Sequence, residues 1–119
     1  MESCVQEKRR FPRKQLDQPA EVIDNDTGMI IGMLKDVSKG GFRLLTSRGI
    51  RPSDIRNVTL VLPGPQAATH KVSVTAQCVW CKGLNEKSQY AAGFALSDIQ
   101  EQDAVALSYF IRDYNVAGQ

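Results

Sequence analysis

The sequence predicts a mainly β fold, a six-stranded antiparallel β-barrel followed by one C-terminal α-helix. Two observations predict the strands and the helix. Short segments rich in β-branched and aromatic residues recur along the 119-residue chain, separated by glycine, proline and small polar residues. Near the C-terminus the period of the apolar residues changes from two to that of a helix. A closed barrel is favoured over an open sheet because closure removes exposed edge strands.

Six segments are predicted to be strands, and the first three form a meander. Residues 25–28, Asn-Asp-Thr-Gly, supply the small polar residues and the glycine of a tight hairpin. Residues 36–41 form the next turn, and the prolines and glycine of residues 63–65 end the fourth strand. The predicted strands are residues 20–24, 29–35, 42–46, 57–62, 71–82 and 89–96.

The last two strands carry residues that bear on the core. Alternation along the fifth strand puts five side chains on one face, so we expect Trp80 in the core or at its rim. Gly93, inside the sixth strand, indicates a bulge or the close approach of another group. The five residues of that face are Val72, Val74, Ala76, Cys78 and Trp80.

The final segment is predicted to be an amphipathic helix. Ser97 or Asp98 is a suitable N-cap, with a glutamine or glutamate three residues further on. Apolar residues then recur at the spacing of one helical face, which we expect to be buried on the outside of the barrel or across one end. This face consists of Ala104, Leu107, Phe110, Ile111 and Tyr114.

The cysteines and the single histidine favour neither a metal site nor catalysis. Three cysteines, an odd number, do not form a disulfide framework. Cys78 and Cys81 form a C-x-x-C, but residues three apart in a strand point to opposite faces and cannot chelate one ion. His70 lies beside a proline- and glycine-rich loop, and we expect it to be solvated. We therefore expect no metal, no cofactor and no enzyme activity.

Composition and charge indicate one globular domain with a basic N-terminal segment. Hydrophobic residues make up 42% and charged residues 24% of the chain. The net charge is +2, but residues 1–14 contain five basic and two acidic residues, so this segment carries +3 and the rest −1. We expect a flexible basic segment over residues 1–14, a barrel domain over residues 15–119 and a small anionic partner.

Two classes of partner are not expected. The domain lacks the broad basic field that holds a long nucleic acid, and only 7% of its residues are aromatic, few for a single-strand binder. The longest apolar runs are far shorter than the ~20 residues of a membrane-spanning helix, and the N-terminus lacks the apolar region of a signal peptide. We therefore expect a cytoplasmic protein without a membrane span.

The first motif with binding chemistry is basic. Arg9, Arg10 and Arg13 lie close together, and Pro12 stiffens the segment between them. A guanidinium group is always charged and offers a planar fork of donors, which pairs with phosphate or with the O6/N7 edge of guanine. The alternative interpretation is a solvated basic tail.

The second motif is Asp36-x-Ser38-x-x-Gly41, in the predicted turn between the second and third strands. A carboxylate accepts hydrogen bonds from N1 and N2 of guanine, a hydroxyl bonds a phosphate oxygen, and glycine lets a flat base approach the backbone. The alternative interpretation is that Asp36 and Ser38 bond the amides of the turn, while the glycines supply positive φ angles.

Together the two motifs resemble the signature of the PilZ domain family, whose members are receptors for cyclic di-GMP. The family's R-x-x-x-R is complete here as Arg9 and Arg13. Its D-x-S-x-x-G follows at a fitting distance as Asp36, Ser38 and Gly41. The resemblance covers nearly the whole chain, since Trp80 and the later Tyr-Ala-Ala-Gly-Phe also look like the family's closing strands. The family's barrel and C-terminal helix agree with the fold predicted above.

The resemblance implies a bacterial receptor that binds cyclic di-GMP and signals to a downstream protein. Arg9 and Arg13 would clamp the dinucleotide, Arg10 would add a stacking or phosphate contact, and the second motif would hold a base. Lys8 precedes the R-x-x-x-R, at a position that influences in this family whether one ligand or a stacked pair binds. The further candidates for ligand contacts are Gly40, Trp80 and Gly93.

This interpretation requires the two motifs to meet on one side of the barrel. It leaves open whether the protein is a monomer or a ligand-dependent dimer. The alternative function is a PilZ-like adaptor that acts through protein contacts and binds no nucleotide.

Overall fold

Seven strands and one helix make up the part of the chain that the computed structural model describes, residues 14–15, 20–64, 69–84 and 88–117. The basic segment predicted to be flexible falls almost entirely outside these residues. The elements are β1 (Lys14–Gln15), β2 (Glu21–Asp24), β3 (Ile30–Ser38), β4 (Gly41–Thr46), β5 (Ile55–Pro63), β6 (Thr69–Gly83), β7 (Tyr90–Ile99) and α1 (Glu101–Ala117).

Strands β2 to β7 close into an antiparallel barrel. The order around the barrel is β3-β2-β5-β6-β7-β4, and β4 pairs again with β3 to complete the circle. The short strand β1 also pairs with β3. It lies along the same edge of β3 as β2, but β2 pairs with residues 30–33 and β1 with residues 36–37. The predicted six-stranded barrel with a C-terminal helix is confirmed, and β1 is an addition that the sequence pattern did not predict.

The turn that carries the second motif is tighter than the sequence predicts. Asp36 and Ser38 lie within β3, and Gly41 is the first residue of β4. Because Ser38 pairs directly with Gly41, the connection is only two residues long and the motif extends along both strands of the hairpin.

The helix begins later than the sequence predicts. Strand β7 continues through Ile99, and Asp98 pairs with Thr75 of β6. Neither Ser97 nor Asp98 is therefore the N-cap, and this prediction was wrong. The hydrogen bonds to β6 outweigh the local preference of these residues for capping, and the helix starts at Glu101.

The core fills the barrel and continues under the helix. The rings of Phe42 and Phe94, which pair across β4 and β7, stack with centroids 5.0 Å apart and an interplanar angle of 9°. Helix α1 packs against β6 and β1, and Leu107 and Phe110 of its predicted face join the same buried cluster. The fully buried barrel residues include Val22, Val37, Leu44, Val58, Leu60, Leu62, Val72 and Ala76.

A bulge in β6 corrects two predictions about the end of this strand. The buried face alternates as predicted through Cys78, but the register shifts between Cys78 and Trp80. Trp80 therefore lies outside the core with 36% of its surface exposed, and Cys81 again packs against the core. The expectation that the two cysteines face opposite sides was wrong because it assumed an unbroken strand. His70 is exposed, as predicted.

Candidate ligand-binding site

The described chain enters the barrel directly beside the second motif. Strand β1 pairs Lys14 with Val37 and Gln15 with Asp36. The first motif, with Arg9, Arg10 and Arg13, and the preceding Lys8 lie outside the described residues. What the structure does establish is that the residue following Arg13 is paired with the strand that carries Asp36.

Ser38 and the two glycines of the motif hold the β3–β4 hairpin together. The Ser38 hydroxyl accepts a hydrogen bond from the Gly40 amide at 3.2 Å and donates one to the Gly41 carbonyl at 3.3 Å. A Cβ on Gly41 would overlap with the backbone carbonyl oxygen of Phe94 in β7, so no other residue fits there without a shift of a strand. The hydroxyl therefore bonds the turn as in the alternative interpretation, whereas Gly41 is required for close strand packing and has no positive φ.

Asp36 forms an ion pair with a residue that the sequence analysis missed. Its side chain is 0% exposed, and its Oδ2 accepts a hydrogen bond of 2.6 Å from Nε of Arg43, whose Nη2 also contacts this oxygen. The Arg43 side chain is 40% exposed. A two-residue hairpin between Ser38 and Gly41 necessarily pairs positions 36 and 43, so the sequence did contain a signal for this contact.

A row of cross-strand neighbours runs from this ion pair to Trp80. Arg43 pairs with Gly93 across β4 and β7, and Gly93 pairs with Trp80 across β7 and β6. The indole covers Gly93 so closely that an added Cβ would lie 2.5 Å from its Cε2 atom. Gly93 is thus a site of close approach, as predicted, and Trp80 is held at the surface of the barrel. The structure brings Asp36, Gly93 and Trp80 into one row.

A groove lies between the motif hairpin and the helix. Its volume is about 640 Å³, and Lys39 of the turn lies on one side of it. On the other side Val105 and Tyr109 are 48% and 52% exposed, and the guanidinium of Arg112 stacks on the Tyr109 ring at 4.7 Å. The lining residues are Lys39, Glu101, Ala104, Val105, Ser108, Tyr109, Ile111 and Arg112.

The pKa of one further titratable group among the described residues, Cys78, is shifted by its surroundings. Burial raises the pKa of the Cys78 thiol above its ordinary value, and the neighbouring Cys81 and Asp54 raise it further. This thiol is therefore held in its protonated, unreactive form at neutral pH. Within the described ranges no three histidine, cysteine or acidic residues are placed to hold a metal ion. No helix in that part of the chain is long and apolar enough to cross a membrane.

The closed barrel, its C-terminal helix and the D-x-S-x-x-G hairpin define the class of fold, and the comparison with known families names it. The PilZ domain model matches residues 7–113, which include both motifs and all seven strands. The chain therefore belongs to the PilZ domain family. No curated protein matches the sequence significantly.

Solved structures with the same fold include proteins from three bacteria. The inhibitor of motility MotI/DgrA from Bacillus subtilis superposes with a TM-score of 0.76 at 15% identity, over 94% of this chain and 53% of that one. The PilZ domain of YcgR from Escherichia coli, solved with c-di-GMP, has a TM-score of 0.71 at 13% identity and covers 93% and 94%. The MrkH–c-di-GMP complex from K. pneumonia has a TM-score of 0.70 at 17% identity and covers 92% and 53%. This chain thus spans about half the length of MotI and MrkH.

Proposed function

We propose that this protein is a receptor for cyclic di-GMP that acts on a downstream protein and catalyses no reaction. One observation carries the proposal. Strand β1, which begins immediately after Arg13, is paired with Asp36 and Val37 of the second motif. The second half of the family signature therefore lies beside the strand that directly follows the first half in sequence. The PilZ structures of YcgR and MrkH, each solved with c-di-GMP, support the same ligand.

The chemistry of the ligand matches the two motifs. Cyclic di-GMP has two phosphate charges and two guanines, so it needs cations and acceptors for base edges at the same place. Arg9 lies five residues before Lys14, and a chain of that length extends at most about 18 Å. All three arginines of the first motif are therefore within reach of a dinucleotide at the β3–β4 hairpin. Asp36 supplies the acceptor on the barrel side, and Ser38, whose hydroxyl bonds the turn, holds the hairpin that carries it.

The output of the receptor is an ordering of its N-terminal arginines around the ligand, which a partner protein detects. An affinity near 1 µM corresponds to about 8 kcal/mol. Ordering a segment on binding consumes about 2–5 kcal/mol of the contact energy. With so little surplus, the loss of one clamp arginine is enough to abolish binding at low ligand concentrations. Lys8 extends the basic segment and favours a stacked pair of ligands over a single one.

Isothermal titration of the purified chain with cyclic di-GMP tests the proposal. We expect micromolar affinity, a stoichiometry of one or two, and a loss of about tenfold or more in Arg13→Ala and Asp36→Ala. Arg51→Ala, in the exposed loop between β4 and β5, removes a charge that belongs to neither motif and is the control. No heat with tens of micromolar ligand would reject the receptor function, and unchanged affinity in both variants would reject the residue assignment.

A second candidate function is an adaptor that acts through protein contacts alone. Val105 and Tyr109 favour it, because they are exposed together beside the groove and a contiguous exposed apolar patch indicates a protein contact site. An adaptor would bind its partner equally well with and without the dinucleotide and would lose it in Tyr109→Glu. A receptor would bind the partner in a dinucleotide-dependent manner and would lose that dependence in Arg13→Ala.

A further inference from the structure

The ion pair between Asp36 and Arg43 belongs to the same surface as the motif but is not explained by the turn. Asp36 and Arg43 are direct cross-strand partners on the face opposite to the core, because their neighbours Val37 and Phe42 are the ones that point inward. The β3–β4 turn itself is closed by Ser38. The hairpin therefore does not need the ion pair for its connection.

The geometry of the pair anchors one oxygen of the carboxylate. Two N–H groups of one rigid guanidinium, Nε and Nη2, converge on Oδ2 of Asp36. Two donors in one plane hold that oxygen in place, whereas a lysine ammonium would act as a point charge. Asp36 is fully buried, and Arg43 offsets part of the cost of keeping its carboxylate charged.

We propose that Arg43 is a positioning residue of the ligand site, which orients the Asp36 carboxylate and thereby sets the preference of the site for guanine over adenine. The inference rests on the proposed function. Guanine presents two donors, N1–H and N2–H, on its Watson–Crick edge, while adenine presents an acceptor at N1. A carboxylate only accepts, so it pairs with the first edge and is repelled by the second. Its discrimination depends on orientation, because a rotated carboxylate cannot meet both donors.

A second ion pair in the barrel supplies a matched control. Arg56 Nη1 contacts Oδ2 of the buried Asp24 at 3.1 Å, and the Arg56 side chain is 30% exposed. Asp24 is the last residue of β2 and lies beside the start of β3. Asp36 lies six residues further along β3 than Ile30, a distance of about 20 Å. Arg56 also contacts Asp54 through Nη2 at 3.4 Å. Arg56→Gln therefore removes a guanidinium partner of a buried aspartate at a distance from the D-x-S-x-x-G motif.

The experiment measures the affinities for cyclic di-GMP and cyclic di-AMP, the latter by competition, and compares their ratio between variants. We expect Asp36→Asn and Arg43→Gln each to reduce the preference for guanine by roughly ten- to a hundredfold. The double variant should lose no more than either single one, because Arg43 acts through Asp36. Arg56→Gln should keep the wild-type ratio. Arg43→Lys keeps the charge without the fork and should show an intermediate ratio, and it replaces Arg43→Gln if that chain does not fold.

Each contrary outcome has its own meaning. If the wild type binds cyclic di-GMP but Arg43→Gln and Arg43→Lys keep its full selectivity, the inference is wrong while the proposed function stands. If Arg43→Gln causes a further loss in the Asp36→Asn chain, Arg43 contacts the ligand itself and the positioning role is rejected. If the wild type binds neither dinucleotide, the proposed function fails and the inference fails with it.

Discussion

Two buried aspartates pair with half-exposed arginines, one beside the start of strand β3 and one near its end. Asp24 pairs with Arg56, and Asp36 pairs with Arg43. Asp24 also has local tasks in the first hairpin. Its Oδ1 accepts the Asp26 amide at 2.8 Å, and its carbonyl accepts the Gly28 amide at 2.7 Å, where a φ of 77° requires glycine. This pair is thus explained by the turn that it stabilises.

The pair at the other end of β3 differs in its surroundings. The turn beside it is closed by Ser38, and Asp36 is instead flanked by β1 on one side and by Arg43 on the other. Beyond Arg43 the row continues to Gly93 and the exposed indole of Trp80. The comparison shows two settings for the same pairing of a buried aspartate with an arginine. The Asp24 pair supports a turn, whereas the Asp36 pair lies beside a surface that carries a cation, a glycine and an aromatic ring. The second surroundings fit the proposed ligand site.

The largest effect is expected on stability, at Gly41, the motif residue that packs against the neighbouring strand β7. Gly41→Ala would force a Cβ into the Phe94 carbonyl of β7, and neither strand can move without disturbing the stacked phenylalanines beneath. We expect a loss of about 3 kcal/mol or more in the free energy of unfolding, measured by urea denaturation. In the control Gly49→Ala the added Cβ would meet the Tyr90 ring at an ordinary 3.6 Å, and stability should change little. Equal stabilities of the two variants would show that β4 and β7 separate easily here.

The next effect compares the two ion pairs directly. Arg43→Gln and Arg56→Gln each leave a buried aspartate short of its cation, and we expect each to lower the free energy of unfolding by about 1–3 kcal/mol. The arginines are partly exposed, which keeps the loss below that of a fully buried pair. If both variants lose similar stability but only Arg43→Gln loses dinucleotide selectivity, the Asp36 pair acts in ligand binding and the Asp24 pair only in stability. A loss of selectivity in Arg56→Gln as well would contradict this difference, because selectivity would then depend on stability alone.

The sequence predicted the architecture better than the contacts within the site. All six barrel strands and the helix followed from apolar periodicity and turn residues, because that periodicity is what buries one face of each element. β1 could not be predicted, since two residues carry no period and its pairing depends on β3. The position of Trp80 depended on a bulge without a signature in the strand itself. The Asp36–Arg43 pair was predictable in principle, but only after assuming that Ser38 faces Gly41.

Trp80 is expected to have a smaller effect on binding than the motif residues. Its indole covers Gly93 at the end of the row that starts at Asp36, and 36% of its surface is exposed. Stacking of a base on an aromatic ring contributes about 1–3 kcal/mol, so Trp80→Ala should weaken cyclic di-GMP binding by roughly tenfold. Trp80→Phe, which retains a stacking face, should recover most of the affinity in the same titration. Unchanged affinity in Trp80→Ala would limit the site to the hairpin and the N-terminal arginines.

The smallest effect concerns Cys78, which distinguishes the two arginines electrostatically. Burial raises the pKa of its thiol above the ordinary value of 9.0, Asp54 adds to this, and Arg56 opposes it. Removing the Arg56 charge should raise the pKa further, so the midpoint of the Cys78 thiolate absorbance in a pH titration should move to higher pH in Arg56→Gln, in a chain whose other cysteines are serine. Asp54→Asn should move the midpoint to lower pH, and Arg43→Gln should leave it unchanged.

The directions of these changes separate electrostatics from loss of stability. Destabilisation alone would expose Cys78 and shift its midpoint toward the ordinary value, so a higher midpoint in Arg56→Gln has only the electrostatic explanation. Because the folded chain binds this proton more tightly than the unfolded chain, the contribution of Cys78 to stability is present below its ordinary pKa of 9.0 and is lost as the pH rises through the folded-state pKa. A lower midpoint in Arg56→Gln and Arg43→Gln alike would mean that both arginines act on Cys78 only through global stability, and the electrostatic difference between the two ion pairs would then be rejected.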